Sequence, residues 1–390
     1  MSAVDETSEL HGKVREVAGR LEQLKAATAR AQADEALTRS RLSLALVEAM
    51  AERAAAVVAL RQARARAYRA AHAPRDPMVA PSAWARTAGR LRALLRPGFW
   101  PASAAGRRQD LRARVLYVRA GASGAAAPLV DADWYRATYP DVAQSGLHPT
   151  AHFLISGVRE GRRPNALFDP RFYAERHGAA LQASGMSAAE HFMKAGAALG
   201  FDPHPLFSVA HYVSQVPELI ESGDNPLLHY LHEGWRRRLS PHPLFDAGFY
   251  AAQLEPQERD TPLLPHYLAH GSARGLSPHP LFDPEWYRQE HAALIGEADE
   301  PLSHFAEVGG PEGRDPSAWF DTAHYVALRG PDFPAGANPL LDYLEGGAWR
   351  VGEARPGLPT AAYVAAHPAA AAQGATPLEH WAAQGRGRID

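Results

Sequence analysis

The stretch Pro280-Leu-Phe-Asp-Pro-Glu-Trp-Tyr287 opens one copy of a unit that recurs along the last two thirds of the chain. Its tyrosine belongs to a column with steps of 38, 39, 38, 37, 38 and 38 residues, whose members are Tyr135, Tyr173, Tyr212, Tyr250, Tyr287, Tyr325 and Tyr363. A second column, here called the histidine column, follows about 17 residues behind and comprises His152, His191, His229, His266, His304, Asp342 and His380. A period of roughly 20–50 residues is typical of a stack of small units. The sequence therefore predicts seven tandem repeats over residues 129–390.

The residues at the start of each unit predict the start of a helix. Asp283 lies four residues before Tyr287 and is followed by Pro284, which suits an N-cap and the first helical position. The same position is occupied in the other units by Asp131, Asp169, Ser208, Asp246, Asp321 and, in the seventh, Pro359. We therefore expect a first helix, helix A, to begin just before each tyrosine.

A second helix, helix B, is predicted around the histidine column. Proline precedes that column by three residues in five units, with Asn225, Asn338 and Thr376 as candidate caps. A glycine column follows five residues behind it and comprises Gly157, Gly196, Gly234, Gly271, Gly309, Gly347 and Gly385. Because glycine readily adopts the left-handed conformation that closes a helix, we expect these glycines to end helix B after about two turns.

Each unit thus reads as a helical hairpin with a few aromatic and leucine anchors. A buried anchor contributes about 1.5–3 kcal/mol, whereas ordering the backbone costs roughly 1–2 kcal/mol per residue. A hairpin of this size is not expected to fold alone, so neighbours must bury its faces. The predicted fold class is all-α, with an α-solenoid-like series of repeats after a long N-terminal helix.

Residues 1–72 contain no proline and predict that long helix. Leu10, Val14, Val17, Leu21 and Leu24 follow the 4-3-4-3 spacing of a coiled-coil seam. The register then passes through Thr28, Ala31 and Glu35 and is lost. Two interpretations stay open: a coiled coil that self-associates, and a single solvated helix.

Residues 73–128 form an Arg-rich amphipathic linker. From 82 to 119 the chain has nine Arg and one Asp. The candidate contact residues here are Trp84, Arg86, Arg90, Arg92, Arg96 and Trp100. This composition fits an interfacial helix on anionic lipid, or a basic helix docked on the chain's own repeats or on a partner. Nucleic acid is not expected as a partner, because no binding motif accompanies the charge.

The composition excludes several classes of site. The chain has no Cys, which rules out disulfides and thiolate metal sites. Neither a secretory signal nor a run of about 18 apolar residues is visible, so we expect a cytoplasmic protein, with peripheral contact at the inner face of a membrane left open. No P-loop, dinucleotide-binding or hydrolase motif is found, and no cofactor is predicted.

The repeated histidines invite a metal site, but one histidine per hairpin places successive rings roughly 8–10 Å apart, too far to share an ion. The short acidic match Asp131-Ala-Asp133 falls on a cap and a first helical turn, and is read as structural. No catalytic or metal-binding residue is therefore assigned. His204, His242 and His279 lie in Pro-His-Pro turns and are candidates for lining a ligand groove, although turn rigidity explains them equally well.

Two stretches carry a family resemblance. The first is Asp131-Ala-Asp-Trp-Tyr-Arg-Ala-Thr-Tyr-Pro-Asp-Val142 with its continuation to Glu160-Gly-Arg-Arg-Pro164, and the second is Pro-Leu-Phe-Asp at 243–246 and 280–283. They resemble the repeats that flank the catalytic domain of large bacterial glycosyltransferases of surface-polysaccharide synthesis. The resemblance covers roughly residues 82–390. No counterpart of that catalytic domain is recognised in this sequence, so the resemblance implies a context in glycan assembly and no catalytic residue.

Three functions follow as hypotheses. The first is a non-catalytic scaffold in bacterial glycan assembly, which binds a protein partner or a glycosyltransferase supplied in trans. The second is an accessory part or remnant of a glycosyltransferase, which nucleotide-sugar binding would reveal. The third is a carbohydrate-binding repeat module, favoured by the abundance of aromatic residues and opposed by how regularly they fit core positions.

Overall fold

The protein is all-α. The computed structural model describes residues 3–74, 124–296, 299–353, 355–373 and 375–385, with side chains in the first helix described from residue 20 onward. Within these ranges the only extended pairings are four isolated bridges in turns. The long helix predicted for the N-terminal segment is present as α1, Ala3–His72.

The repeat region alternates two kinds of helix. Helix A of the seven units spans Ala132–Thr138, Pro170–Ser184, Val209–Gln215, Ala247–Ala252, Pro284–Glu290, Thr322–Arg329 and Thr360–Ala366. Helix B starts with Pro149–His152, Ala188–His191, Pro226–His229, Leu263–His266, Pro301–His304, Pro339–Leu344 and Pro377–Gly385. Short helical segments join or follow them at Gly124–Leu129, Pro140–Ser145, Ala197–Leu199, Glu218–Ser222, Pro256–Glu258, Gly330–Asp332, Gly347–Trp349 and Pro368–Gln373.

Helix A begins at the residue that the sequence indicates. In six units the Asp or Ser accepts a hydrogen bond from the backbone of the first helical turn. The seventh unit has Pro359 in this place and no side-chain cap. Side-chain caps therefore satisfy amides that the helix itself leaves without partners.

Helix B differs from the prediction in its second half. In the first five units its backbone passes from α to π geometry directly after the histidine column, over Phe153–Gly157, Phe192–Gly196, Tyr230–Gly234, Tyr267–Gly271 and Phe305–Gly309. The first six members of the glycine column all have a negative φ, so the expected left-handed stop at this column is wrong. The left-handed residue lies four positions later, at Gly161, Gly200, Arg238, Gly275 and Gly313.

Consecutive units are joined by one recurring backbone bond. In the first five units the amide of the N-cap residue donates to a proline carbonyl at the head of the next unit, as from Asp169 to Pro203 and from Asp246 to Pro278. In that turn a side chain accepts from the amide two residues on. Histidine Nδ1 does so at His204, His242 and His279, and an oxygen does so at Asn165 and Ser317. The histidines of the Pro-His-Pro turns therefore stabilise the turn in which they lie.

The second part of α1 packs on the repeats. Leu46, Val47 and Met50 contact the core cluster, and Tyr68 is only 2% exposed. Tyr68 Oη donates to the Asp224 carbonyl at 3.1 Å, and His72 Nε2 lies 2.8 Å from the Ile220 carbonyl. Because α1 also contacts helix A of the seventh unit, it bridges units that are far apart in sequence. The solenoid arrangement of the seven units remains a prediction.

Candidate functional site

The tyrosine, histidine and glycine columns meet inside each unit. Tyrosine Oη lies 2.7–3.2 Å from histidine Nδ1 in the six pairs that contain histidine. In the sixth unit Tyr325 donates to the Asp342 carboxylate instead, and Arg329 Nε joins it at 2.8 Å. A carboxylate can only accept, so Tyr325 is the donor in the sixth unit. We assign the same direction to the six other units, with tyrosine Oη as the donor and histidine Nδ1 as the acceptor. The partner of each of these histidines is therefore the tyrosine of its own unit.

The glycine column makes room for this hydroxyl. A Cβ built on Gly196, Gly234 or Gly309 would lie 1.9 Å from the tyrosine Oη of its unit, and one on Gly157 would lie 2.4 Å from it. No such contact is tolerated, so glycine is required for close approach. The tyrosine stands against the π-helical turn of helix B and fixes helix A to it.

These three columns are therefore occupied in holding the hairpin together. Six of the seven tyrosines are at most 1% exposed, while Tyr363 in the last unit is half-buried. Burial is the main cause that raises the pKa of Tyr173 and Tyr287 above that of a free phenol. A buried, hydrogen-bonded phenol with a raised pKa is a poor proton donor at neutral pH. The columns carry no catalytic arrangement.

A cavity of about 380 Å³ lies elsewhere, between α1 and the repeats. One wall comes from α1 and includes Met50, Arg53, Ala54, Val57, Val58 and Arg61. The opposite wall comes from units three to seven and includes His211, His242, His279, Glu345, Trp349, Thr376 and Glu379. This is the candidate functional site of the described chain.

All five charged residues of the cavity wall have bonds within the protein; among them, Arg53 donates to the Ala372 carbonyl and Asp246 accepts from the Phe249 amide. Arg61 forms an ion pair with Glu345. Glu379 accepts from the Thr376 amide at 2.9 Å, and its other oxygen lies 3.2 Å from His279 Nε2. Burial alone would raise the pKa of Glu379, but the bonds from His279 and Thr376 outweigh it and lower that pKa. Glu379 is thus held ionised on the cavity wall.

His211 is the exception to this pairing. Both of its ring nitrogens are sealed from water and lack a hydrogen-bond partner, as does Arg61 Nε. Burial, followed by the nearby Arg61 and His242, lowers the pKa of His211 well below that of a free imidazole. The Ser240 backbone is the smallest contribution and raises this pKa, but it does not form a hydrogen bond with either ring nitrogen. The cavity therefore contains neutral polar groups that the protein itself does not satisfy.

The sequence indicated part of this site. His242 and His279 do line the cavity, whereas His204 is buried in its turn outside it. Asp131 caps its helix and Asp133 pairs with Arg136, as expected of structural residues. The basic contact residues Trp84, Arg86, Arg90, Arg92, Arg96 and Trp100 lie outside the described residues.

His211 was missed, although the sequence contains a signal for it. The position before each tyrosine is aromatic in most units, as at Trp134, Phe172, Phe249 and Trp286, but is histidine at 211 and 324. Arg61 and Glu379 could not be found from spacing, because the cavity joins segments separated by some 300 residues.

Searches for other kinds of site are negative within the part of the chain that the structure describes. No group of three or more His, Asp or Glu there could hold a metal ion. No helix there combines the length and apolarity that crossing a membrane requires. Comparison with protein-family models, with curated proteins and with solved structures gives no match.

Proposed function

We propose that this chain is a non-catalytic helical-repeat interaction protein that associates with a second copy through α1 and serves bacterial glycan assembly. The glycan context is supported by the resemblance of the repeat signature to repeats that flank glycosyltransferase domains. The non-catalytic role is supported by the tyrosine and histidine columns, in which tyrosine Oη and histidine Nδ1 are bonded to each other.

The division of α1 into two parts carries this proposal. From Ser43 onward the helix packs on the repeats, whereas every described side chain from 20 to 42 is exposed. This exposed part, residues 20–42, extends roughly 35 Å at the α-helical rise. A helix of that length with leucines in water gains from a partner.

A second copy fits the exposed residues. Leu21 and Leu24 are 51% and 64% exposed and belong to the coiled-coil seam predicted from the sequence. Burying their exposed parts in two copies contributes roughly 3–7 kcal/mol, which overlaps only the lower estimates for the cost of association, about 4–15 kcal/mol. The seam continues toward the N-terminus in Leu10, Val14 and Val17. We therefore expect a dimer that dissociates on dilution.

Light scattering coupled to size exclusion tests this over a concentration series of the full chain. We expect twice the monomer mass for the natural sequence and the monomer mass for Leu21→Glu/Leu24→Glu. The control is Leu37→Glu, because Leu37 is equally exposed at 52% but lies about 160° around the helix from Leu21. A natural chain that stays monomeric up to its solubility limit would refute self-association.

The glycosyltransferase alternative has its own test. Binding of a UDP- or GDP-sugar to the purified chain would replace the non-catalytic role with that of an enzyme part. The described residues offer helices and isolated bridges, not the strand–helix alternation of a nucleotide-binding sheet, so we expect no binding.

A further inference from the structure

We infer that the cavity between α1 and the repeats binds a neutral polyhydroxylated molecule of the size of a mono- or disaccharide. Its volume of about 380 Å³ lies within the usual range of small-molecule pockets. This inference concerns a different part of the chain from the α1 seam and does not depend on self-association.

The pairing of charges argues against an ionic ligand. Arg61 is already neutralised by Glu345, and Glu379 by its bonds from His279 and Thr376. An anion would also meet Asp246, Glu345 and Glu379 on the same walls. A cation at Glu379 would have to displace the bonds from His279 and Thr376, and removing the partner of a buried charged group is strongly unfavourable.

A purely apolar ligand is equally unsuited. It would leave His211 and Arg61 Nε unsatisfied, and buried polar groups without partners are costly. His242 Nδ1 accepts from the Leu244 amide at 3.1 Å, which makes Nε2 the protonated nitrogen and a donor toward the cavity. The walls therefore offer a donor at His242, and His211 and Arg61 Nε add polar atoms that have no partner within the protein.

Hydroxyl groups match this combination, because each donates and accepts one or more hydrogen bonds without bringing a charge. The walls also include apolar side chains, among them Met50, Val58, Leu344 and Trp349. A sugar ring presents hydroxyls at its edge and C–H groups on its faces, so both kinds of wall are used. Specificity would come from the few polar groups among apolar ones.

Saturation-transfer NMR and calorimetry on the full chain test the inference. The probes are glucose, galactose, mannose, N-acetylglucosamine and maltose, with inorganic phosphate as the anionic probe. We expect saturable binding of at least one sugar and none of phosphate. The decisive variant is His211→Phe, which keeps a flat ring and loses two nitrogens that have no partner, so the fold is expected to hold.

In His211→Phe the Kd for the bound sugar should rise at least about tenfold, equivalent to about 1.4 kcal/mol. The control His232→Phe removes an exposed histidine that does not line the cavity, and should bind as the natural chain does. The monomeric Leu21→Glu/Leu24→Glu chain should also bind normally. The inference is overturned by the absence of sugar binding up to about 10 mM, by binding of phosphate in place of sugar, or by sugar binding that His211→Phe leaves unchanged.

Discussion

Substituting alanine for Gly196 tests the packing that defines each unit. The new Cβ would lie 1.9 Å from Tyr173 Oη, 3.1 Å from Cζ of the same ring and 3.5 Å from His191 Nδ1. To restore ordinary van der Waals contact the hydroxyl must retreat by about 1.5 Å. That movement breaks its 2.7 Å hydrogen bond to His191.

The magnitude follows from three contributions. Leaving buried His191 Nδ1 without a partner costs about 1–3 kcal/mol. Forcing a methyl group into a filled core costs about 1–3 kcal/mol more, and the better helix propensity of alanine returns up to about 1 kcal/mol. We expect Gly196→Ala to lower the free energy of unfolding by about 2–4 kcal/mol.

Urea denaturation followed by far-UV circular dichroism measures this loss. Gly178→Ala is the matched control, since Gly178 lies in helix A of the same unit and its Cβ would meet nothing within 4 Å. That variant should be neutral or more stable by up to about 1 kcal/mol. If the two variants differ by less than about 0.5 kcal/mol, the steric role assigned to the glycine column is wrong.

A second substitution separates steric conflict from general disturbance. Tyr173→Phe alone should destabilise the chain, because it removes the partner of His191. In the Gly196→Ala background it should stabilise, because it removes the atom that the methyl group strikes. Recovery is expected to be partial, since Cζ stays at 3.1 Å. An equal loss in both backgrounds would contradict the close-contact explanation.

Three further predictions concern stability, each measured by denaturant unfolding. Tyr287→Ala should cost about 3–5 kcal/mol because its side chain is fully buried, whereas Tyr363→Ala in the half-buried last unit should cost about half as much; equal losses would refute burial as the cause. Burial lowers the pKa of His242 to about 3. Between about pH 6.5 and pH 3 the unfolded chain therefore binds a proton at this site that the folded chain does not, and the free energy of unfolding decreases as the pH is lowered, by up to about 1.4 kcal/mol per pH unit. His242→Asn, which copies the turn side chain of Asn165, should flatten that dependence between pH 4 and about 6, and an unchanged slope would contradict the assignment. Asp342→His restores the common pair with Tyr325 but leaves Arg329 without its partner, so it should cost about 1–3 kcal/mol, and adding Arg329→Leu should recover most of this loss.

Local signals in the sequence predicted the helices well. Asp283 followed by Pro284 marks the start of helix A, and Asn225 before Pro226 marks helix B, because caps and first-turn prolines act over three or four residues. The glycine column was found but given the wrong reason. Spacing along the chain identifies where glycine is required, but not whether the requirement is a left-handed φ or the approach of Tyr173 from another helix.

The cavity depended on contacts that a repeat pattern cannot contain. α1 has no counterpart in the repeats, so neither its docking from Ser43 onward nor the pairing of Arg61 with Glu345 follows from the period. The Pro-His-Pro turns, in contrast, could be recognised in the sequence because they recur with the repeat period. Their part in the cavity could not be recognised, because His204 forms the same turn as His242 and lies outside it.

In a chain of units that share a few spaced positions, the departures from the period are more informative about function than the period itself. The repeated Tyr212–His229 pair is explained by folding, because Tyr212 Oη and His229 Nδ1 are bonded to each other. His211 replaces an aromatic side chain, gains no hydrogen bond within the protein and stands on the cavity wall. A buried polar group without a partner lowers stability, and such local conflicts are expected where a site has been fitted for another purpose. The position of His211, more than any repeated residue, is therefore where selection for binding would act on this fold.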